Sequence, residues 1–491
     1  MKKYVIICIM FVAGLKFSAQ TIDEKIGKAM NESDWFALDS MYRTTPKDSI
    51  DPFLEVFSRC LLGNRLNRTD ISIPAFQELL STYSLDISNL ASSIYMYGMD
   101  LSREGRNAEA ASMINDIVSQ TRQYLDSVTI NRLTTTANRY SALSAYKPYQ
   151  IEFPDGKEAI IPFTIVPVGP TEKGSVLMHL TQSYINGEEA DITFDTGAGS
   201  NIISIEMAKR LNLIPLDSAT ITVIGVDRRE GYIAIAKELK IGNIIVSDVP
   251  FTVISLSSDN KEADQYIECF NIVVGSELML QLKDLTIDFF KRHITVPTAA
   301  PKRTDRPSNL CFSPSMNLLT KGTVLNTDLL MCIDSGDASY GSLNNDFYSA
   351  NADYIKSHAT LDSIREAGIA GVIVSECYKV PDMPVCIGEH MVFPPELTVK
   401  LGTDVMIGGY ECNIGIKTLM LYQKVRFNLV DFVLTTKSAI NSSLVFPTKY
   451  NIPDFKFSKE KNLNLWQAIG IIGVGVARGM INPNAPMNPD L

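Results

Sequence analysis

Apolar residues recur at helical spacing from residue 20 to about 146, and beyond that point the period shortens to that of strands. In the first stretch Phe53, Leu54, Phe57, Cys60 and Leu61 share one helical face, as do Leu90, Ile94, Tyr97 and Leu101. After Gly105 the spacing resumes with Ala110, Met113, Ile114 and Ile117. Around Tyr149 the pattern turns to β: Tyr149 to Phe153, a Pro154-Asp155-Gly156 turn and Ala159 to Val166 predict a hairpin. From there to about residue 440, short runs rich in Ile, Val, Leu and Thr alternate with turn signals, and helical stretches such as Glu206 to Leu211 are brief. The pattern predicts a mostly β region preceded by an all-α domain, separable from it, over residues 20–146.

The ends read differently. Lys2 and Lys3, the uncharged run Tyr4 to Leu15, and Ser18-Ala19 before Gln20 predict an export signal over residues 1–19. The run is shorter than the ~20 residues that span a bilayer; an uncleaved anchor is the alternative. On this reading the mature protein is periplasmic, cell-surface or secreted. The extension 441–491 contains an apolar segment, Leu465 to Ala477, expected to dock on the body, and a proline-containing end expected to be disordered. The pair of helical faces around Gly105 resembles a tetratricopeptide hairpin, and a plain helical bundle fits the same spacing. Either would offer a surface for recruiting a protein partner.

Composition narrows the class. The chain of 491 residues is 45% apolar and 20% charged, the profile of a soluble globular protein of several domains. Its net charge of −10 argues against a nucleic-acid partner. Cys377 and Cys386 are the only closely spaced cysteine pair and a candidate disulfide, with buried thiols expected elsewhere. Four scattered histidines and the lack of HExxH or CxxC spacing give no metal site, and no cofactor is expected.

The chemistry lies in two short motifs. Ile192-Thr193-Phe194 runs into Asp195-Thr196-Gly197-Ala198, and Leu329 to Ile333 runs into Asp334-Ser335-Gly336. Each is an apolar strand ending in a carboxylate, a hydroxyl and a glycine. Alone, each triplet is a turn after a strand. Spacing joins them: Val273-Val274-Gly275 ends 80 residues after Asp195, and Asn413-Ile414-Gly415 ends 81 after Asp334. Leu285 to Phe289 and Val425 to Leu429 then recur at matching distances. Residues 170–299 and 308–436 therefore read as two copies of one fold, giving lobes at 147–303 and 304–440.

With these residues in view, the two halves resemble retropepsin-like aspartic proteases, and their union in one chain is similar to pepsin. The resemblance implies a bilobal acid-protease fold with pseudo-twofold symmetry and an Asp195/Asp334 catalytic dyad. It also implies Thr196 and Ser335 hydroxyls bonded across the axis, with Gly197 and Gly336 permitting close approach. Two hairpins would act as flaps: Ile221 to Ile235, with Gly225 and Gly231 flanking a charged tip, and the glycine-rich stretch holding Gly368 and Gly371. The implied substrate is an extended peptide or unfolded protein and the implied activity aspartic endopeptidase. One departure stands out: Asp337 follows Gly336 where the family carries Ala, Ser or Thr. A catalytically inactive, peptide-binding descendant is the alternative function.

Overall fold

The computed structural model describes residues 20–83, 87–168, 174–224, 228–256, 268–368, 371–402 and 409–438. The expected export signal, Gly225 and the extension from 441 onward lie outside these.

Helix starts follow local side chains. Thr21 and Glu24 form a capping box on Ile22–Asn31, Asp34 accepts from Ala37 N on Trp35–Thr44, and Asp51 caps Pro52–Arg65, which opens on proline. These contacts satisfy N–H groups that the first turn leaves unbonded. Thr69–Thr82, Ile87–Arg103, Asn107–Thr121 and Ser127–Leu143 follow, each packed on the next. Gly105, at φ +72°, makes the turn between Ile87–Arg103 and Asn107–Thr121 in a left-handed conformation that a Cβ would penalise.

The helical core does not close on itself. Phe57, Phe76, Leu38, Ile94 and Ile114 are fully buried, and the same cluster takes in Leu216, Ile233, Ile235, Cys311, Leu319 and Cys332 from the strands. Leu319 and Cys332 are cross-strand partners, and Cys332 lies two residues before Asp334. Arg65, fully buried, donates to Ser313 O at 3.2 Å and lies over Trp35. The strand that carries Asp334 is thus backed by the helices, which runs against the expected separability of the helical segment. Leu319→Ala is expected to cost about 2–5 kcal/mol through the lost contacts and the cavity left behind. Denaturation followed by Trp35 fluorescence and by circular dichroism should show helices and sheets melting together. A helical signal outlasting the β signal would contradict the shared core.

Strand pairing positions the motifs. Ile192–Phe194 runs parallel to Ile272–Val274, which pairs antiparallel with Ile202–Ser204. That strand is parallel to Ile244–Ile254, which continues antiparallel into Arg228–Ile241 and then Ile214–Ile224. Later in the chain the same order and senses recur through Thr327–Asp334, Cys412–Gly415, Gly341–Leu343, Leu397–Lys400, Gly371–Val380 and Thr360–Gly368. The second half also adds to the first half's sheet: Asp284–Asp288 pairs with Tyr422–Asn428, Leu285 opposite Phe427. Asp284 accepts both Nε and Nη2 of Arg426, at 2.9 and 2.6 Å, across this seam. The two strands that the spacing singles out are therefore neighbours in one sheet.

The candidate Cys377–Cys386 bridge is not formed. Cys377 lies between Asp362 and Lys400 in its sheet, whereas Cys386 pairs with Thr323 and Met391, so the two occupy non-adjacent strands.

Candidate active site

Two buried strands end where Asp195 and Asp334 begin. Phe194 is fully buried beside Val274, and Asp195 N donates to Val274 O at 3.0 Å; Asp334 lies in register with Gly415. Beneath each loop sits a glycine. A Cβ on Gly275 would press on the Ala198 and Ser200 carbonyls, and one on Gly415 on the Ser339 and Asp337 carbonyls. The two glycine landmarks exist because each loop folds back over its own sheet.

The loops lock reciprocally. Thr196 N donates to Ser335 Oγ at 3.0 Å, and Ser335 N donates to Thr196 Oγ1 at 3.0 Å. Each hydroxyl then donates onward at 2.7 Å, Thr196 Oγ1 to Ile333 O and Ser335 Oγ to Phe194 O. Both residues are fully buried, so each bond exchanged for an unpaired group costs about 1–3 kcal/mol. Gly197 faces the Asp334 carboxyl and Gly336 faces the Asp195 carboxyl, each too close to admit a Cβ.

Each carboxylate is cradled by its own loop. Asp195 Oδ1 accepts Gly197 N at 2.8 Å and Ala198 N at 3.1 Å; Asp334 Oδ1 accepts Gly336 N at 2.9 Å and Asp337 N at 3.0 Å. Burial holds both carboxyls above the usual carboxylate range, against the pull of these donors. For Asp334 the negative charges of Asp195 and Asp337 add to the rise, which carries it well above that range, while Asn413 opposes it. The close approach at Gly197 and Gly336 brings the two carboxyls together, so they titrate as a pair. Among the described residues no group of three or more His, Cys, Asp or Glu is arranged to hold a metal ion.

The hairpins expected as flaps are both present as paired strands. In the first, Ile224 is opposite Arg228, and residues 225–227 lie outside the described residues. Arg229 and Glu230, read from sequence as part of the tip, belong to the returning strand. Gly231 lies inside that strand between Ile221 and Ile254 and flanks no turn. In the second, Gly368 pairs with Gly371 across residues 369–370, where the sequence puts the turn.

Sequence reasoning passed over Asn413. Its Nδ2 donates to Asp334 Oδ2 at 3.0 Å and to Asp337 Oδ2 at 2.9 Å. The available signal was an amide within an otherwise apolar strand run, at the register position that Val273 occupies in the first half. Asn317 and Asn201 were missed as well: Asn317 Nδ2 donates to Gly197 O, and Asn201 Oδ1 accepts Gly275 N at 3.1 Å.

Residues 181–262, which contain Asp195 and the first hairpin, match the family model described as "gag-polyprotein putative aspartyl protease". A solved structure of a retropepsin-like aspartic protease from Rickettsia conorii is similar at 16% identity, covering 31% of this chain and 96% of its own, with a TM-score of 0.20. No curated protein matches the chain. Over these residues the family match supports an aspartyl protease, and hence a hydrolase.

Proposed function

We propose that the protein is an exported aspartic endopeptidase that cleaves extended or unfolded polypeptide with water held between Asp195 and Asp334. The observation that carries this reading is the reciprocal Thr196–Ser335 lock, which sets one carboxyl-bearing loop directly against the other. Two copies of a lobe related by a pseudo-twofold axis through that lock account for the repeated strand order.

Two partly buried carboxyls held this close cannot both ionise, so one retains a proton and the other serves as base. The base takes a proton from water as its oxygen attacks the peptide carbonyl carbon, and the acid protonates the carbonyl oxygen. Collapse of the tetrahedral intermediate breaks the C–N bond, and the amine leaves with a proton from the pair. An extended substrate would pair with the hairpins and place alternate side chains in pockets. The exposed Leu361 and Val374 on the second hairpin suit an apolar side chain. The helices, fixed behind the Asp334 strand, would serve to bring in a protein partner.

The test is a peptide-library assay on residues 20–491 across pH, with Asp195→Asn as control. The rate should follow a bell, because full protonation removes the base and full ionisation removes the acid. The upward shift of both carboxyls moves this bell above the range of ordinary carboxylates. Peptides bound but uncut at every pH would favour a binding protein instead.

A further inference from the structure

The two halves differ at two positions that touch each other. Where the first loop has Ala198, the second has Asp337; where the strand beside the first loop has Val273, opposite Thr193, the second has Asn413, opposite Cys332. Both strand positions lie opposite the residue two before the dyad aspartate. Resting on the peptidase reading, we propose that Asn413 is a positioning residue that ties Asp337 to Asp334 as a third carboxyl and makes the dyad unequal.

The hydrogen bonds account for each member. An amide nitrogen has two N–H groups, and Asn413 spends them on Asp334 Oδ2 and Asp337 Oδ2. The opposite setting of the amide would turn its carbonyl onto two carboxyls, which fixes the orientation. Its Oδ1 is buried with no partner among the described residues, which costs stability. Asp337 Oδ1 is held in turn by Ser339 N at 2.9 Å and Ser339 Oγ at 2.6 Å. Every side-chain partner of Asp337 here is a donor, so it meets them as an acceptor. Either member alone would be awkward: Asp337 without Asn413 sets carboxyl against carboxyl, and Asn413 without Asp337 leaves an N–H unused.

The consequence is a proton biased to Asp334. A negative acceptor fixed beside Asp334 disfavours its ionised form, while Asp195 has Ala198 in the corresponding place. Asp195 then acts as the base and Asp334 as the acid. Among the described residues the other titratable groups around Asp334 are Asp195 itself and the thiols of Cys332 and Cys412, both pushed up by burial and so uncharged here.

Asp337→Asn removes the charge and keeps an acceptor; Asn413→Val removes the tether; Asn413→Val with Asp337→Ala copies the first half. Asp337→Asn should move the alkaline limb of the kcat/KM profile to lower pH by about one unit, and the acid limb less. Asn413→Val alone should lower kcat about tenfold, and adding Asp337→Ala should recover most of it, where purely structural damage would accumulate. A carbon-13 NMR titration of the aspartate carboxyls, with the dyad signals identified through Asp195→Asn and Asp334→Asn, reads the same coupling without activity. There the Asp334 step should fall in Asp337→Asn. An unmoved Asp334 step, or losses that simply add in the double variant, overturns the proposal. If the wild type cleaves nothing, the peptidase reading fails on its own while the titration still decides this one.

Discussion

Asp195→Asn and Asp334→Asn are each expected to lower kcat/KM by roughly a thousandfold or more, and the double variant should be little worse than either. Each substitution keeps the side chain's size and removes its acid and base capacity, and a pair that shares one proton fails when either partner does. The same variants should gain stability at neutral pH. In the wild type both folded-state carboxyls are held above their unfolded values, so stability falls as pH rises from the ordinary carboxylate range upward. The amide escapes that penalty. Thermal unfolding at neutral and acid pH checks this: the gain should be present at neutral pH and vanish in acid, where the wild-type carboxyls are protonated. Loss of activity together with loss of neutral-pH stability would mean that the substitutions damage the fold.

Gly197→Ala and Gly336→Ala are expected to be nearly as damaging by a different route. Each new methyl would intrude on the carboxyl of the opposite loop, and the crossed Thr196 and Ser335 bonds resist separating the loops. A shift of about 1 Å in reacting groups costs about a hundredfold in rate. The loss should fall on kcat more than on KM, because the hairpins proposed to hold the peptide are untouched. Gly27→Ala is the control: it lies in the helix Ile22–Asn31 with open space around it, where alanine should gain about 0.5–1 kcal/mol. Wild-type kcat in Gly336→Ala would show that the loops do not need this approach.

What was legible in the sequence was what neighbours in the chain determine. Asp195 and Asp334 could be read because each terminates an apolar strand, and Gly275 and Gly415 because each must pass under a carbonyl-rich loop. What distant pairing determines was not legible. Arg229 and Glu230 look like a hairpin tip, but they pair with Val223 and Thr222 as the first residues of the returning strand. Ile233, Ile235 and Leu319 read as ordinary strand positions, and nothing nearby reveals that helices cover them. Asn413 acts on a carboxyl 79 residues earlier, and only the parallel pairing of its strand brings it there.

The most direct measurement is calorimetric binding of a peptide whose scissile carbonyl is replaced by a secondary alcohol, a mimic of the tetrahedral intermediate. A site built for the transition state binds such a mimic at least a hundredfold more tightly than the parent peptide. The paired-carboxyl account predicts that preference in the wild type and its loss in both Asp195→Asn and Asp334→Asn. Equal affinity for mimic and parent peptide, or an undiminished preference in Asp334→Asn, would contradict it.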